Sequence, residues 1–367
     1  MGRRRTLVTK HRRPEQPACH DARVANWTVP AFSRSAVDKA AATLVDPATM
    51  GVDRETALSV INNWRSSHAF PLNTIQVNLR RRAASVDPDA TVSQRIKRMP
   101  SITQKLERYP GMRLSRMQDI GGCRAVLADV DAVRQAYDLY RQGNGKHELV
   151  RVDDYMDDKP KESGYRGIHL IYKYRSDRKT TYNGLSIEVQ LRTRWQHAWA
   201  TAVETVGFFT SQALKSSAGN EDWLRFFALM SCEIAQREGT QPVPGTPDDE
   251  ARFAGELLDL TVSLGVVQRL TAYGETLRVF EEQIAGGSSK YFVLRLNSVE
   301  RKLNVYSFGS LIQATAYYEG LERAASLEKN TDVVLVSVDS ISALRRAYPN
   351  YFLDTGAFLR MVKDATT

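Results

Sequence analysis

From Leu185 to Arg192 the chain alternates strictly. Leu185, Ile187, Val189 and Leu191 are apolar; Ser186, Glu188, Gln190 and Arg192 between them are polar. A period of two is the mark of a strand with one face in a core. The other face carries a carboxylate, an amide and a guanidinium in one row. A surface antiparallel strand has the same pattern, so this strand alone defines no site. Two further runs change that. Between Gly167 and Arg175, Ile168, Leu170 and Tyr172 share one side, and His169, Lys173 and Arg175 fall on the other. Near 122–128, Arg124 follows Gly121 and Gly122, a pair that permits a tight turn or close backbone approach. Three strands whose polar faces gather acids and cations predict a sheet bearing a site.

Around this sheet the periodicity is helical. Residues 36–110 space their apolar positions by three and four, and Arg80, Arg81 and Arg82 close one such helix. A helix is expected near 130–142, and helices again over 194–236. Gly239 to Asp249, with Pro242, Pro244 and Pro247, reads as a linker. Residues 250–285 read as helical, and Gly286, Gly287, Ser288 and Ser289 break the chain again. Strands near 291–297 and 302–306, a helix at 308–327, a strand at 332–338 and a short helix near 341–347 follow. The fold class is α+β: a mixed sheet flanked by helices, plus a small C-terminal α+β module. The divisions are a basic N-terminal arm and helix (1–59), a central domain (60–236), a helical connector (250–285) and the module (289–367). Residues 1–35 are polar and basic, contain Pro14 and Pro30, and read as a partly disordered arm.

Composition narrows the class. No run of about 18 apolar residues exists, so no membrane-spanning helix is expected. The basic N-terminus has no apolar stretch behind it, as a secretory signal would require. Cys19, Cys123 and Cys232 are scattered and offer neither a disulfide framework nor a zinc-binding pair. A reducing cytoplasm is the expected location. Residues 1–110 carry 19 Lys/Arg against 9 Asp/Glu, whereas the remainder is nearly balanced. Such a surplus fits an anionic partner, nucleotide phosphates or nucleic acid, or simply a solvated basic surface.

Asp119 precedes the glycine pair and sits at the mouth of a strand. It is either a turn residue or, paired in space with Glu188, half of a Mg²⁺ site completed by waters and substrate phosphates. Glu188 could also accept a proton from an attacking hydroxyl. Tyr165, between Gly164 and Arg166, is either a loop anchor or a platform for a base. Upstream, Arg95, Lys97, Ser101 and Lys105 form Arg-x-Lys-x-x-x-Ser-x-x-x-Lys. Ser101, Lys105 and Arg108 repeat at helical spacing, and fixed cations there could neutralise a triphosphate.

Arg-x-Lys-x-x-x-Ser-Ile at 95–102, Asp-Ile-x-Gly-x-Arg at 119–124, Pro-Lys-x-x-Gly-Tyr-x-x-Ile-His at 160–169 and Glu-Val-Gln-Leu-Arg-Thr at 188–193 resemble the RelA/SpoT synthetase family, in its order. The resemblance implies a nucleotidyltransferase-like sheet and pyrophosphate transfer from ATP to the 3′-hydroxyl of GDP or GTP with Mg²⁺. It implies that Asp119 and Glu188 hold the metal, with Glu188 helping to deprotonate the acceptor. Arg95 and Arg124 would sandwich adenine, with Lys97, Ser101 and Lys105 on the ATP phosphates. Tyr165 would stack on the acceptor base and His169 orient it. Lys161, Gln190, Arg192 and His197 complete the acceptor side, Arg192 also meeting phosphate. Arg166-Gly167 and Ala198-Trp199-Ala200 depart from the family's common pattern and bear on the acceptor.

The C-terminal module holds Tyr348-Pro-Asn-Tyr351 and neither cysteine nor histidine. It resembles the neutralising segment of CapRel-type fused toxin–antitoxins, a zinc-finger-like fold without zinc ligands. Tyr348 and Tyr351 would then cover the ATP pocket, or else simply pack in a core beside Phe352. That group pyrophosphorylates the 3′ CCA end of tRNA, which stops translation, and a phage protein releases it. The expected function is such a phage-defence enzyme. The alternatives are a small alarmone synthetase using GDP or GTP, and a catalytically inactive sensor.

Overall fold

The structure is a computed structural model describing residues 27–143, 145–210, 220–275, 277–283, 290–297, 299–325, 331–338 and 340–366. Most of the basic arm and the break at Gly286–Ser289 lie outside the described residues. Among those residues there is one nine-stranded sheet. Its strands are β1 (Thr91–Ile96), β2 (Gly121–Leu127), β3 (Glu148–Asp154), β4 (Ile168–Lys173), β5 (Ser186–Thr193), β6 (Arg278–Gln283), β7 (Tyr291–Asn297), β8 (Lys302–Phe308) and β9 (Thr331–Ser337). They lie in the order β3-β4-β5-β2-β1-β9-β7-β8-β6. The β2–β5 and β6–β8 pairs are parallel and the others antiparallel, so the sheet is mixed and the fold is α+β.

The alternation at 185–192 is that of β5, whose Ile187, Val189 and Leu191 are fully buried. They pack with Ile168 and Leu170 of β4 and with Leu72 and Leu79 of helix α3 (Ala69–Val86). Thr193 ends the strand and caps helix α6 (Arg194–Phe209) in a reciprocal capping box with Gln196. Gly121 leaves room for the Ile187 side chain: a Cβ there would lie 2.7 Å from Ile187 Cδ1.

A second core joins α6 to helices α7 (Glu221–Glu238), α8 (Glu250–Ser263) and α9 (Val266–Glu275). Phe358, Met361 and Val362 of helix α12 (Gly356–Ala365) insert into it, so the chain's last helix docks on the central domain. The module has its own core, which includes Tyr348, Tyr351 and Phe352 and receives Phe208 and Phe209 of α6. Helices α10 (Leu311–Ala325) and α11 (Ile341–Ala347) belong to this part.

Three expectations change. The segment 36–110 holds helices α1 (Arg34–Val45), α2 (Gly51–Ser67), α3 and α4 (Met99–Arg108), but Thr91–Ile96 within it is β1. Its residues gain strand structure by pairing with β2 on one side and β9 on the other. The connector is helical only to Glu275; Arg278–Gln283 is strand, paired with β8, so the module's sheet starts inside the expected connector. Nor does the module stand apart, because β9 pairs with β1 and makes one sheet of both. No helix among the described residues is long and apolar enough to cross a membrane.

Candidate functional site

Strand register sets the site. Arg95 of β1 lies opposite Gly122 of β2, which lies opposite Glu188 of β5. One step along, Arg124, Gln190 and His169 sit in a row across β2, β5 and β4. Cross-strand partners share a face, so these polar groups converge. Gly122 carries no side chain and leaves space in front of Glu188; a Cβ there would be 4.0 Å from Glu188 Oε2.

Asp119 stands just before β2, beside the end of β1, where Lys97 N–H donates to the Ile120 carbonyl over 2.8 Å. Its Oδ2 accepts from Lys97 Nζ at 2.7 Å and its Oδ1 from Lys105 Nζ of α4 at 3.1 Å. Burial works against the charged carboxylate, but the two ammonium groups outweigh it and hold Asp119 well below the usual carboxylate range. Ser101 lies one turn before Lys105 on α4 and is half-buried.

Glu188 is held differently. His169 Nδ1 lies 2.8 Å from its Oε1, and Gln190 Nε2 donates to its Oε2 at 2.7 Å. The other ring nitrogen, Nε2, is 2.7 Å from the Tyr165 hydroxyl. Burial opposes charge on the ring, yet Tyr165 and Glu188 together raise His169 from 6.5 to about 9. Burial also opposes charge on Glu188, and His169 reverses that, so its carboxyl is pulled down while Asp119 pushes it up. The two carboxylates therefore feel one another. Lys161 Nζ lies 3.8 Å from the Tyr155 ring centre and 5.1 Å from that of Tyr165. Arg192 donates to Gln190 Oε1 at 2.9 Å and reaches the Tyr165 hydroxyl at 3.4 Å.

The residues expected to hold adenine meet the module instead. Arg124 Nη2 donates to the Ala347 carbonyl at 2.5 Å, and its guanidinium is 5.6 Å from the Tyr348 ring centre. Burial first, and Arg192 second, lower Arg124 to about 10, which leaves it charged at neutral pH. The Tyr348 hydroxyl donates to the Gln94 carbonyl of β1 at 2.9 Å. Tyr351 donates to Asp332 at 3.2 Å, and Asp332 is also paired with Arg98. Burial opposes charge on Arg95, and Glu204 leads the groups that restore it, with Tyr351, Tyr348 and Asp119 also near. His197 does not join Tyr165: its Nε2 donates to the Arg346 carbonyl at 3.3 Å. Burial, then Arg124 and Arg192, push its pKa far down.

Two features went unseen in the sequence. Tyr155 packs edge-on against both Tyr165 and His169, with ring centres 5.8 and 5.1 Å apart. Arg65 of α2 donates to both oxygens of Glu322 on α10, at 2.9 and 3.1 Å, and to Tyr318 at 2.8 Å. Glu322 also accepts from the Met99 N–H that opens α4, at 3.0 Å.

Two neighbouring carboxylates suit Mg²⁺, which takes one or two protein carboxylates and completes its shell with water and phosphate. Among the described residues no group of three or more His, Cys, Asp or Glu gathers into a fuller metal cage.

Residues 94–208, from β1 through α6, match a region found in RelA / SpoT proteins. GTP pyrophosphokinase YjbM of Bacillus subtilis (strain 168) is 30% identical over 125 residues, 33% of this chain and 57% of that protein. GTP pyrophosphokinase YwaC of the same organism is 27% identical over 121 residues, 31% of this chain and 56% of that one. The chain therefore spans a little over half the length of these curated relatives. Among solved structures, small alarmone synthetase 1 from B. subtilis bound to its product pppGpp is 24% identical and has a TM-score of 0.40. The match covers 48% of this chain and 92% of that one. Small alarmone synthetase 2 from the same organism has 20% identity, the same coverages and a TM-score of 0.40.

Proposed function

We propose that this chain transfers pyrophosphate from ATP to a hydroxyl, breaking the link between the α- and β-phosphates and releasing AMP, with Asp119 and Glu188 holding Mg²⁺. The observation that carries this is the pair of carboxylates in the RelA/SpoT-type region, one ringed by lysines and one backed by His169 and Tyr165. Lys97, Lys105 and Ser101 bind ATP phosphates, and Arg95 and Arg124 the adenine. Mg²⁺, when bound, neutralises charge on the phosphates as they pass through the loose transition state. Glu188, oriented by His169 and Gln190, takes the acceptor proton. Tyr165 stacks on the acceptor base, with Lys161 and Arg192 at its rim. His197 sits at the border of the two sites.

In the finer reading the C-terminal module holds the enzyme off until a phage protein releases it, and the acceptor is the 3′ end of tRNA. Its support is that Tyr348 and the end of α11 occupy Arg124, the residue proposed for adenine. A second reading, transfer to GDP or GTP, is favoured by the names of the curated relatives. Purified chain with labelled ATP and either deacylated tRNA or GTP decides between them, with and without Tyr348→Ala and Tyr351→Ala. Label on the tRNA 3′ end is expected, and more of it in the double variant. Label on GTP alone selects the second reading, and label on neither removes both.

A further inference from the structure

Tyr165 has a neighbour that points the other way. Arg166 is 3% exposed, and its guanidinium spreads over the back of the loop. Nε donates to the Ser231 carbonyl at 3.3 Å and to Ser231 Oγ at 3.1 Å. Nη1 donates to the Met156 carbonyl at 3.3 Å and to Thr240 Oγ1 at 3.1 Å, and Nη2 to the Gln241 carbonyl at 2.5 Å. Every one of these acceptors is neutral. The Glu238 carboxylate acts on Arg166 electrostatically, and the grip itself closes on three backbone carbonyls and two hydroxyls that would lose a partner without it. The grip ties the loop that carries Tyr165 to α7 and to the turn beyond it.

The backbone beside it explains more. Gly164 and Gly167 have φ of +81° and +131°. A Cβ on Gly164 would be 2.8 Å from Ser231 Cβ, and one on Gly167 would be 2.9 Å from the Leu191 carbonyl oxygen. The segment is a strap pressed against α7 on one side and β5 on the other. Ser231 Oγ also donates to the Gly164 carbonyl at 2.5 Å. Only two side chains leave the strap between its glycines. Tyr165 reaches His169, and Arg166 grips α7 and the turn that follows it.

We propose that Arg166 is a positioning residue for the acceptor: its grip on Ser231, Thr240 and Gln241 sets where the Tyr165 ring stands. This rests on the assignment of Tyr165 to the acceptor. An ångström of misplacement is enough to cost up to two orders of magnitude in rate. The turn that Arg166 holds also begins the linker toward the C-terminal part of the chain.

The test is equilibrium binding of deacylated tRNA, and separately of GTP, to the full chain with ATP omitted. Arg166→Met should weaken the probe that binds by about tenfold, and Arg166→Lys by less. Ser231→Ala, a milder change to the same grip, should weaken it in the same direction. In the Tyr165→Ala chain Arg166→Met should add nothing, because the two act as one unit. In turnover, KM for the acceptor should rise while KM for ATP stays put. Unchanged probe binding in both Arg166→Met and Ser231→Ala, with Tyr165→Ala weakened, overturns the inference and spares the proposed function. So does an equal loss for ATP and acceptor. Binding of neither probe to the unaltered chain removes the acceptor assignment and this inference together.

Discussion

The two halves of the site are finished in different ways. On the side proposed for the acceptor, Glu188, His169, Tyr165, Gln190 and Arg192 satisfy one another within the central domain. On the side proposed for ATP, Arg124 donates to the Ala347 carbonyl of α11 and Tyr348 donates to β1, while at the border His197 donates to the Arg346 carbonyl. A site half complete in itself and half completed by another part of the chain is open to regulation at that second half, where Tyr348 and α11 meet Arg124.

Removing a charge common to both halves is expected to have the largest effect. Glu188→Gln keeps the volume and should cut transfer by about a thousandfold or more, with the fold intact by circular dichroism. Asp119→Asn should do the same, and full activity in either would end the metal assignment. Next comes the module. Tyr348→Ala with Tyr351→Ala deletes packed aromatic contacts worth a few kcal/mol, so the open fraction should rise about a hundredfold. Expression in bacteria should then arrest growth, and adding Glu188→Gln should restore it. A double variant that folds but keeps resting activity breaks the comparison, since Tyr348 would then be core packing only. Smaller still, Tyr165→Ala should cost about 1–3 kcal/mol of acceptor binding and leave ATP binding alone. Equal loss of both would make the tyrosine a structural anchor.

The smallest effect separates the halves by pH. His68 lies beneath the start of β2 on the ATP side and shares its Nδ1 hydrogen with the Trp64 carbonyl at 2.7 Å. Burial lowers it from 6.5 to about 4. The unfolded chain takes up a proton near 6.5 and the fold only near 4, so His68 withdraws stability as pH falls through that window. His169 is raised to about 9, so its contribution is complete below 6.5 and fades as pH rises through 9. Acid therefore lowers the stability of the fold through His68, and alkali through His169. Urea titrations at pH 6.5 and 5.5 should show His68→Asn relieved of up to about 1.4 kcal/mol of the parent's loss. Parallel losses would place the acid sensitivity elsewhere.

Where side chains follow a period, the chain was readable. The row Glu188, Gln190 and Arg192 is visible as alternation, and the register of β2, β4 and β5 then gathers Arg124 and His169 beside it. β1 was hidden because Thr91 to Ile96 borrows its extended form from strands far away in the chain. β6 was hidden for the same reason, its partner β8 lying beyond a glycine-rich break. α12 was missed because its apolar face has meaning only against α6 to α9. Tyr155 follows two aspartates and shows no pattern; only the return of β4 places it against Tyr165. Arg65 and Glu322 are far apart in sequence and joined only by tertiary packing.

The joint between the halves of the sheet is narrow. β1 and β9 pair at Gln94 with Ser337 and Arg95 with Val336, whereas β7 and β9 pair along seven residues. If the module lifts away, few backbone hydrogen bonds are lost at this joint, but both strands are left with bare edges. Unpaired strand edges are templates for other chains. Release, if it happens as proposed, would carry a hazard of its own: bare edges would make the freed molecule adhesive and would bound its working life.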